Sequence, residues 1–245
     1  MTSQEMKTDQ ENTGTLNSSF YLEIACFDAK SLLLADSAGA DRTEFCADRA
    51  LGGVTPPLQE VLDILPLLQK PVHIMIRPRG GNFVYSDAEF KQMKYDVHII
   101  KAAPVPGKLG GFVFGILDAT GQVDMSRNCA LVELARPLSC TFHRAFDEMK
   151  DLEKALENVI ACGFQIILTS GGAADSASGA GVLGGLVAKA DGRITVMPGG
   201  GVRSSNIELL REKTKAKWYH SSAVVRDEIS VKEVEVLNRV LKAEQ

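Results

Sequence analysis

The sequence predicts one α/β domain folded as a (β/α)8, or TIM, barrel. Short apolar runs alternate with helical patterns along the chain, as a parallel sheet wrapped in helices requires. Eight such runs, each followed by a helical pattern, fit within about 225 residues, the size of that barrel. No linker interrupts residues 20–245, so that whole stretch reads as one domain. An open doubly wound sheet is the alternative. No Gly-rich dinucleotide fingerprint follows the first strand to support it.

The strands are expected at 21–26, 42–46, 72–77, 111–115, 139–143, 165–169, 194–198 and 217–220. Helices are expected at 29–38, 58–68, 87–101, 126–135, 151–161, 180–190, 204–213 and 231–243. Ser86 before Asp87 and Glu89 is a start signal for the third helix. Ser204 or Ser205 before Asn206 serves the seventh in the same way. Residues 1–19 are polar and carry Glu5, Asp9 and Glu11. They lack the apolar stretch of a signal peptide and read as a disordered tail.

Composition excludes several classes. A net charge of −4 gives no basic face for nucleic acid or an anionic membrane. No apolar run approaches the roughly 18 residues that span a bilayer. The five cysteines (Cys26, Cys46, Cys129, Cys140 and Cys162) are odd in number and form no CxxC, which fits reduced thiols in a cytoplasmic protein. No lysine ends a strand, as a Schiff-base aldolase would need. Walker, HExxH, zinc-spacing and serine-elbow motifs are absent from the sequence.

Alternation along the strands sorts side chains between two faces. Leu22, Ile24 and Cys26 share one face of the first strand, and Glu23 and Ala25 the other. Thr43 and Phe45 oppose Arg42, Glu44 and Cys46. Ile74 and Ile76 oppose His73, Met75 and Arg77. Cys140 and Phe142 oppose Ser139, Thr141 and His143. The apolar sets should meet the helices, which turns the polar sets into the barrel. Charged groups there are costly unless paired or bound to a ligand. Glu23, Arg42, Glu44, Arg77 and His143 are therefore expected to line one cavity at the C-terminal strand ends. A purely structural ion network is the competing reading.

Arg77 and Arg79 bracket Pro78 at the end of the third strand, before Gly80 and Gly81. Two guanidinium groups beside open backbone suit an anionic ligand. His143 is placed for acid–base work, with Asp147 four residues on to orient it and Glu23 or Glu44 as partner or base. His73 reads as structural, His98 as a surface residue, and His220 is ambiguous. Gly199, Gly200 and Gly201 open a helix after the seventh strand, where barrels often hold phosphate. Ser221 and Ser222 after the eighth strand, and Ser170 after the sixth, add hydroxyls. On these residues one alternative reading is a barrel enzyme acting on a small phosphorylated or carboxylated metabolite.

Glu23, the run from Ala40 to Cys46, Gly52-Gly53-Val54-Thr55-Pro56, the long run from Met75 to Ser86, the run from Thr141 to Asp147, and His220-Ser221-Ser222-Ala223 together resemble the CutC copper-homeostasis family. The resemblance covers nearly everything from Leu22 to Ala223. It implies a TIM barrel, a cytoplasmic homo-oligomer, and copper handling as Cu(I) through cysteine thiolates. Two departures follow. The family pattern places one inward cysteine two residues after the glutamate and a second at the end of the second strand. Here Ala25 holds the first position, Cys26 comes one residue later on the opposite face, and Cys46 is kept. The segment after His220-Ser221-Ser222-Ala223 is also short. Metal binding is therefore expected to rest on Cys46 rather than Cys26, with Met75 or His143 as a second ligand.

Overall fold

A computed structural model describes residues 20–103 and 108–243. The tail expected at 1–19 lies outside the described residues, as do 104–107 in the loop before the fourth strand. Eight parallel strands form the barrel: β1 (Tyr21–Cys26), β2 (Arg42–Phe45), β3 (Val72–Met75), β4 (Leu109–Phe114), β5 (Ser139–Phe142), β6 (Ile166–Thr169), β7 (Thr195–Pro198) and β8 (Trp218–Ser221). Their helices are α1 (Ala29–Ser37), α2 (Leu58–Ile64), α3 (Asp87–Lys101), α4 (Met125–Ala135), α5 (Leu152–Ala161), α6 (Ala180–Ala190), α7 (Ile207–Thr214) and α8 (Val231–Lys242). The hydrogen-bonded order runs from β7 back through β1 to β8. β7 and β8 lie side by side to close the ring without a ladder between them.

Local chemistry sets the element ends. Ser86 caps α3 through the Glu89 amide while Glu89 reaches back to the Ser86 N–H, a reciprocal capping box. The expected serine start of α7 does not form. Ser204 bonds Glu233 of α8 through both its amide and its hydroxyl, and the helix begins at Ile207 after Asn206. After β8 the chain makes a short antiparallel hairpin, β9 (Val224–Val225) and β10 (Glu228–Ile229), before α8.

On β1, β2, β3 and β5, alternate side chains face opposite sides of the sheet. Leu22, Ile24, Cys26, Phe45, Ile74, Ile76, Cys140 and Phe142 belong to the main core between sheet and helices. A smaller inner cluster joins Cys46, Met75 and Val113, and another joins Ile166, Leu168 and Met197. The barrel floor is aromatic. Trp218 stacks on Tyr21 at 4.8 Å, and the Arg42 guanidinium lies 4.1 Å from the Trp218 ring. His73, buried, meets Thr141 at 3.4 Å. A β-carbon at Gly111 would approach the His73 ring to 2.9 Å, so only glycine leaves that ring its place.

The cysteine reading is corrected in part. Cys129 of α4 and Cys162 at the end of α5 form a disulfide with Cα atoms 4.6 Å apart. Cys26, Cys46 and Cys140 are free and buried. Odd-number arithmetic could not reveal the pair. The two residues are 33 apart in sequence and meet only because adjacent helices pack side by side.

Candidate functional site

The register of β1 against its neighbours builds the centre. Glu23 stands opposite Arg42 on β2 and opposite His220 on β8. One layer up, Ala25 stands opposite Glu44. Arg42 Nε donates to Glu23 at 2.5 Å, and the other Glu23 oxygen lies 2.7 Å from His220 Nδ1. Burial would raise the Glu23 carboxyl, but the Arg42 charge and the His220 contact outweigh it and hold it well below the usual carboxylate range. His220 responds the other way. Burial alone would lower it, while the Glu23 bond and the Glu44 charge raise it above an ordinary histidine. Cys46 Sγ donates to Glu44 at 3.0 Å. Burial pushes both Glu44 and Cys46 upward, the thiol strongly.

A cavity of about 120 Å³ opens above this layer, walled by Glu44, Arg77, His143 and His220 with Cys46 and Met75. Glu23 and Arg42 point inward as expected but do not reach it. They lie one layer below, fully enclosed or nearly so. His220, ambiguous in the sequence, is a central wall residue. Its role was hidden because its partner, Glu23, is 197 residues away.

Several expected roles are replaced by structural ones. Arg77 gives its terminal nitrogens to the carbonyls of Leu51, Gly52, Gly53 and Gly81 and lies 4.8 Å over Phe83. Only its Nε is unpartnered. Arg79 pairs with Glu89 at 2.6 Å and binds the carbonyls of Gly80, Asn82 and Val84. Neither is a free anion clamp, because the loop that carries them uses them to fold. Asp147 does not touch His143. It accepts from Thr169, from the amides of Ser170 and Gly172, and from Arg144, and so ties the turn after β5 to the loop after β6. Ser170 contacts Arg144 and Ala173.

The expected phosphate loop is altered too. The Gly199 amide is bonded to Thr169, and the Gly200 carbonyl accepts from Ser176. Arg203 reaches Ser221 and Ser222 at 3.1 and 3.3 Å. Both hydroxyls thus contact a guanidinium, and Ser221 also donates to Val202. Gly199, Gly200 and Gly201 with these serines form a cross-braced corner.

His143 ends β5 and bonds through Nδ1 to the Ala145 N–H at 3.2 Å. Its buried Nε2 has no partner. Burial and the nearby Arg77 charge hold it down to about 3, so the ring is neutral. A β-carbon at Gly115 would come within 2.8 Å of this ring, which makes that glycine part of the site. Glu44 Oε2 is likewise buried and unpartnered. Glu23, Glu44 and His220 place ligand atoms within 4.8 Å of one another. The Arg42 charge already answers Glu23, and we read the three as a proton and ion-pair network. Cys46 belongs to the inner cluster with Met75, whereas Cys26 faces the helices and donates to the Ile24 carbonyl at 3.6 Å.

These features define a TIM-barrel protein whose mouth holds a buried site of imidazole, carboxylate and sulfur groups. The chain belongs to the CutC family, whose model matches residues 20–225. It is 42% identical over 203 residues to a CutC family protein of Parabacteroides distasonis, covering 82% of each chain. It is 39% identical over 204 residues to the human copper homeostasis protein cutC homolog, covering 83% of this chain and 73% of that one. A crystal structure of a Streptococcus agalactiae CutC superposes with a TM-score of 0.77 at 30% identity, covering 83% of this chain and 98% of that one.

Proposed function

We propose that the protein handles copper as Cu(I) at the barrel mouth, as a cytoplasmic member of this copper-homeostasis family that assembles from several copies. The carrying observation is the buried inner cluster of Cys46 and Met75, a thiol and a thioether that wall one cavity. Soft sulfur donors in an apolar setting favour Cu(I) over harder ions. Cys26 stays outside this set because it packs on the opposite face of its strand. The site therefore has one thiolate, which makes binding weaker than at a two-thiolate site. Competition titration with a Cu(I) chelator tests this. Binding is lost in Cys46→Ser, weakened in Met75→Leu and unchanged in Cys26→Ser. Equal loss in both cysteine variants would overturn the reading. Sedimentation velocity tests the assembly, and fractionation with an antibody tests the location.

A further inference from the structure

The unpartnered groups at the mouth are chemically complementary. His143 accepts the Ala145 N–H on Nδ1, so its neutral ring carries the proton on Nε2. That buried N–H has no acceptor among the described residues. His220 is held through Nδ1 by Glu23, and its Nε2 has no partner among the described residues. Both rings wall the same cavity. One is a fixed neutral donor, and the other is a histidine oriented by a buried carboxylate. Such a pair suits holding a developing oxyanion while a proton moves beside it.

We propose that the site transfers a proton at the carbon next to a carbonyl in a small uncharged hydroxyaldehyde or hydroxyketone. His220 moves the proton and His143 holds the carbonyl oxygen. This goes beyond copper handling and does not depend on it. The His220 Nε2 lone pair takes the proton from the carbon. The C–H electron pair becomes the C=C bond of an enediolate as the carbonyl π pair moves onto oxygen, which accepts from His143 Nε2–H. Return of a proton from His220 to the same carbon exchanges that hydrogen with solvent. Return to the neighbouring carbon, with the hydroxyl proton passing to the oxygen held by His143, isomerises the compound. No co-reactant is consumed.

Size and charge choose the substrate class. At about 120 Å³ the cavity is well below the several hundred Å³ of sites for drug-sized ligands, which points to a unit of two or three carbons. The guanidinium groups around it are already committed. Arg77 holds carbonyls with its terminal nitrogens, and Arg144 pairs with Asp147 at 2.8 Å. Neither of these two wall guanidinium groups is left whole as a phosphate clamp. The charged groups set against His220 are Glu23 from β1 and Arg42 and Glu44 from β2.

Solvent exchange tests the proposal directly. Protein is incubated in D2O with glycolaldehyde or with dihydroxyacetone, and loss of the α-proton signal is followed by proton NMR. Wild type exchanges faster than heat-denatured protein. His220→Gln and His143→Phe, checked for folding by circular dichroism, lose about 10²-fold or more. The wild-type rate rises with pH through one ionisation above 6.5, because His220 acts as base. Glu23→Gln moves that midpoint down, which it would not do if a group other than His220 were the base. If a variant fails to fold, the wild-type profile still decides. No exchange above the denatured control, or equal rates in wild type and folded variants, overturns the proposal. Exchange confined to dihydroxyacetone phosphate overturns the uncharged assignment.

Discussion

Two corners of the barrel mouth use the same kinds of residue in opposite ways. At β1, β2 and β8, charged groups meet one another: Glu23 binds Arg42 and His220, and Glu44 keeps a free buried oxygen. At the end of β3, Arg77 and Arg79 meet mostly backbone. Seven carbonyls and Glu89 take up their guanidinium nitrogens. The first corner keeps groups that can titrate and bind. The second turns its charges into loop architecture. A buried charge thus reports function only when some of its valences remain open.

The largest expected effect is in pH, since histidines and carboxylates titrate and guanidinium groups do not. His73 and His143 are each held down to about 3, His73 by burial and by the Arg42 charge. The unfolded chain binds protons near 6.5 that these folded rings refuse. Stability therefore falls as pH drops from 6.5 toward 3, by on the order of 4–5 kcal/mol for each ring. Glu23, lowered in the fold, adds a further loss below the ordinary carboxylate range. His220 has the opposite sign, and its contribution fades as pH rises through its raised pKa. Urea unfolding across pH measures this, and His143→Phe flattens the acid limb. A flat limb in wild type would break the contrast.

Removing a charge from each corner comes next. Glu23→Ala leaves Arg42 buried and unpaired and should cost about 4 kcal/mol. Arg77→Ala strips four carbonyls of their donors and should cost about 3 kcal/mol. Denaturant midpoints compare the two. The Arg77 loss should come with faster proteolysis of the loops at 51–53 and 80–83, and the Glu23 loss should not. The smallest effect is Arg79→Ala. Its guanidinium is 38% exposed, and its pair with Glu89 should be worth less than about 1 kcal/mol. Sulfate affinity by calorimetry should not change, because Arg79 is no anion clamp. A clear drop would restore that role.

The barrel, its single domain and the inward set Glu23, Arg42, Glu44, Arg77 and His143 were legible in the chain alone. So was the division of Cys46 from Cys26. All of these rest on local periodicity: a strand turns alternate residues to opposite faces whatever its neighbours are. The start of α7 was misread, because Ser204 found a better acceptor in Glu233, 29 residues ahead. Arg203 and the Cys129–Cys162 pair carried no local signal, and His220, at the end of its strand, did not reveal its partner Glu23, 197 residues away.

Tertiary structure alone decided which atoms of the inward residues stay free. His220 became central because β8 closes against β1 and sets it beside Glu23. Arg77 lost its ligand role because residues 51–53 fold over the end of β3 and present their carbonyls to it. Asp147 was taken by the amides after β6 rather than by His143. Side-chain direction is a property of one strand and is written in its period. Hydrogen-bond occupancy is a property of all the loops that converge at the mouth, and each buried donor or acceptor there takes whichever partner packing brings within reach.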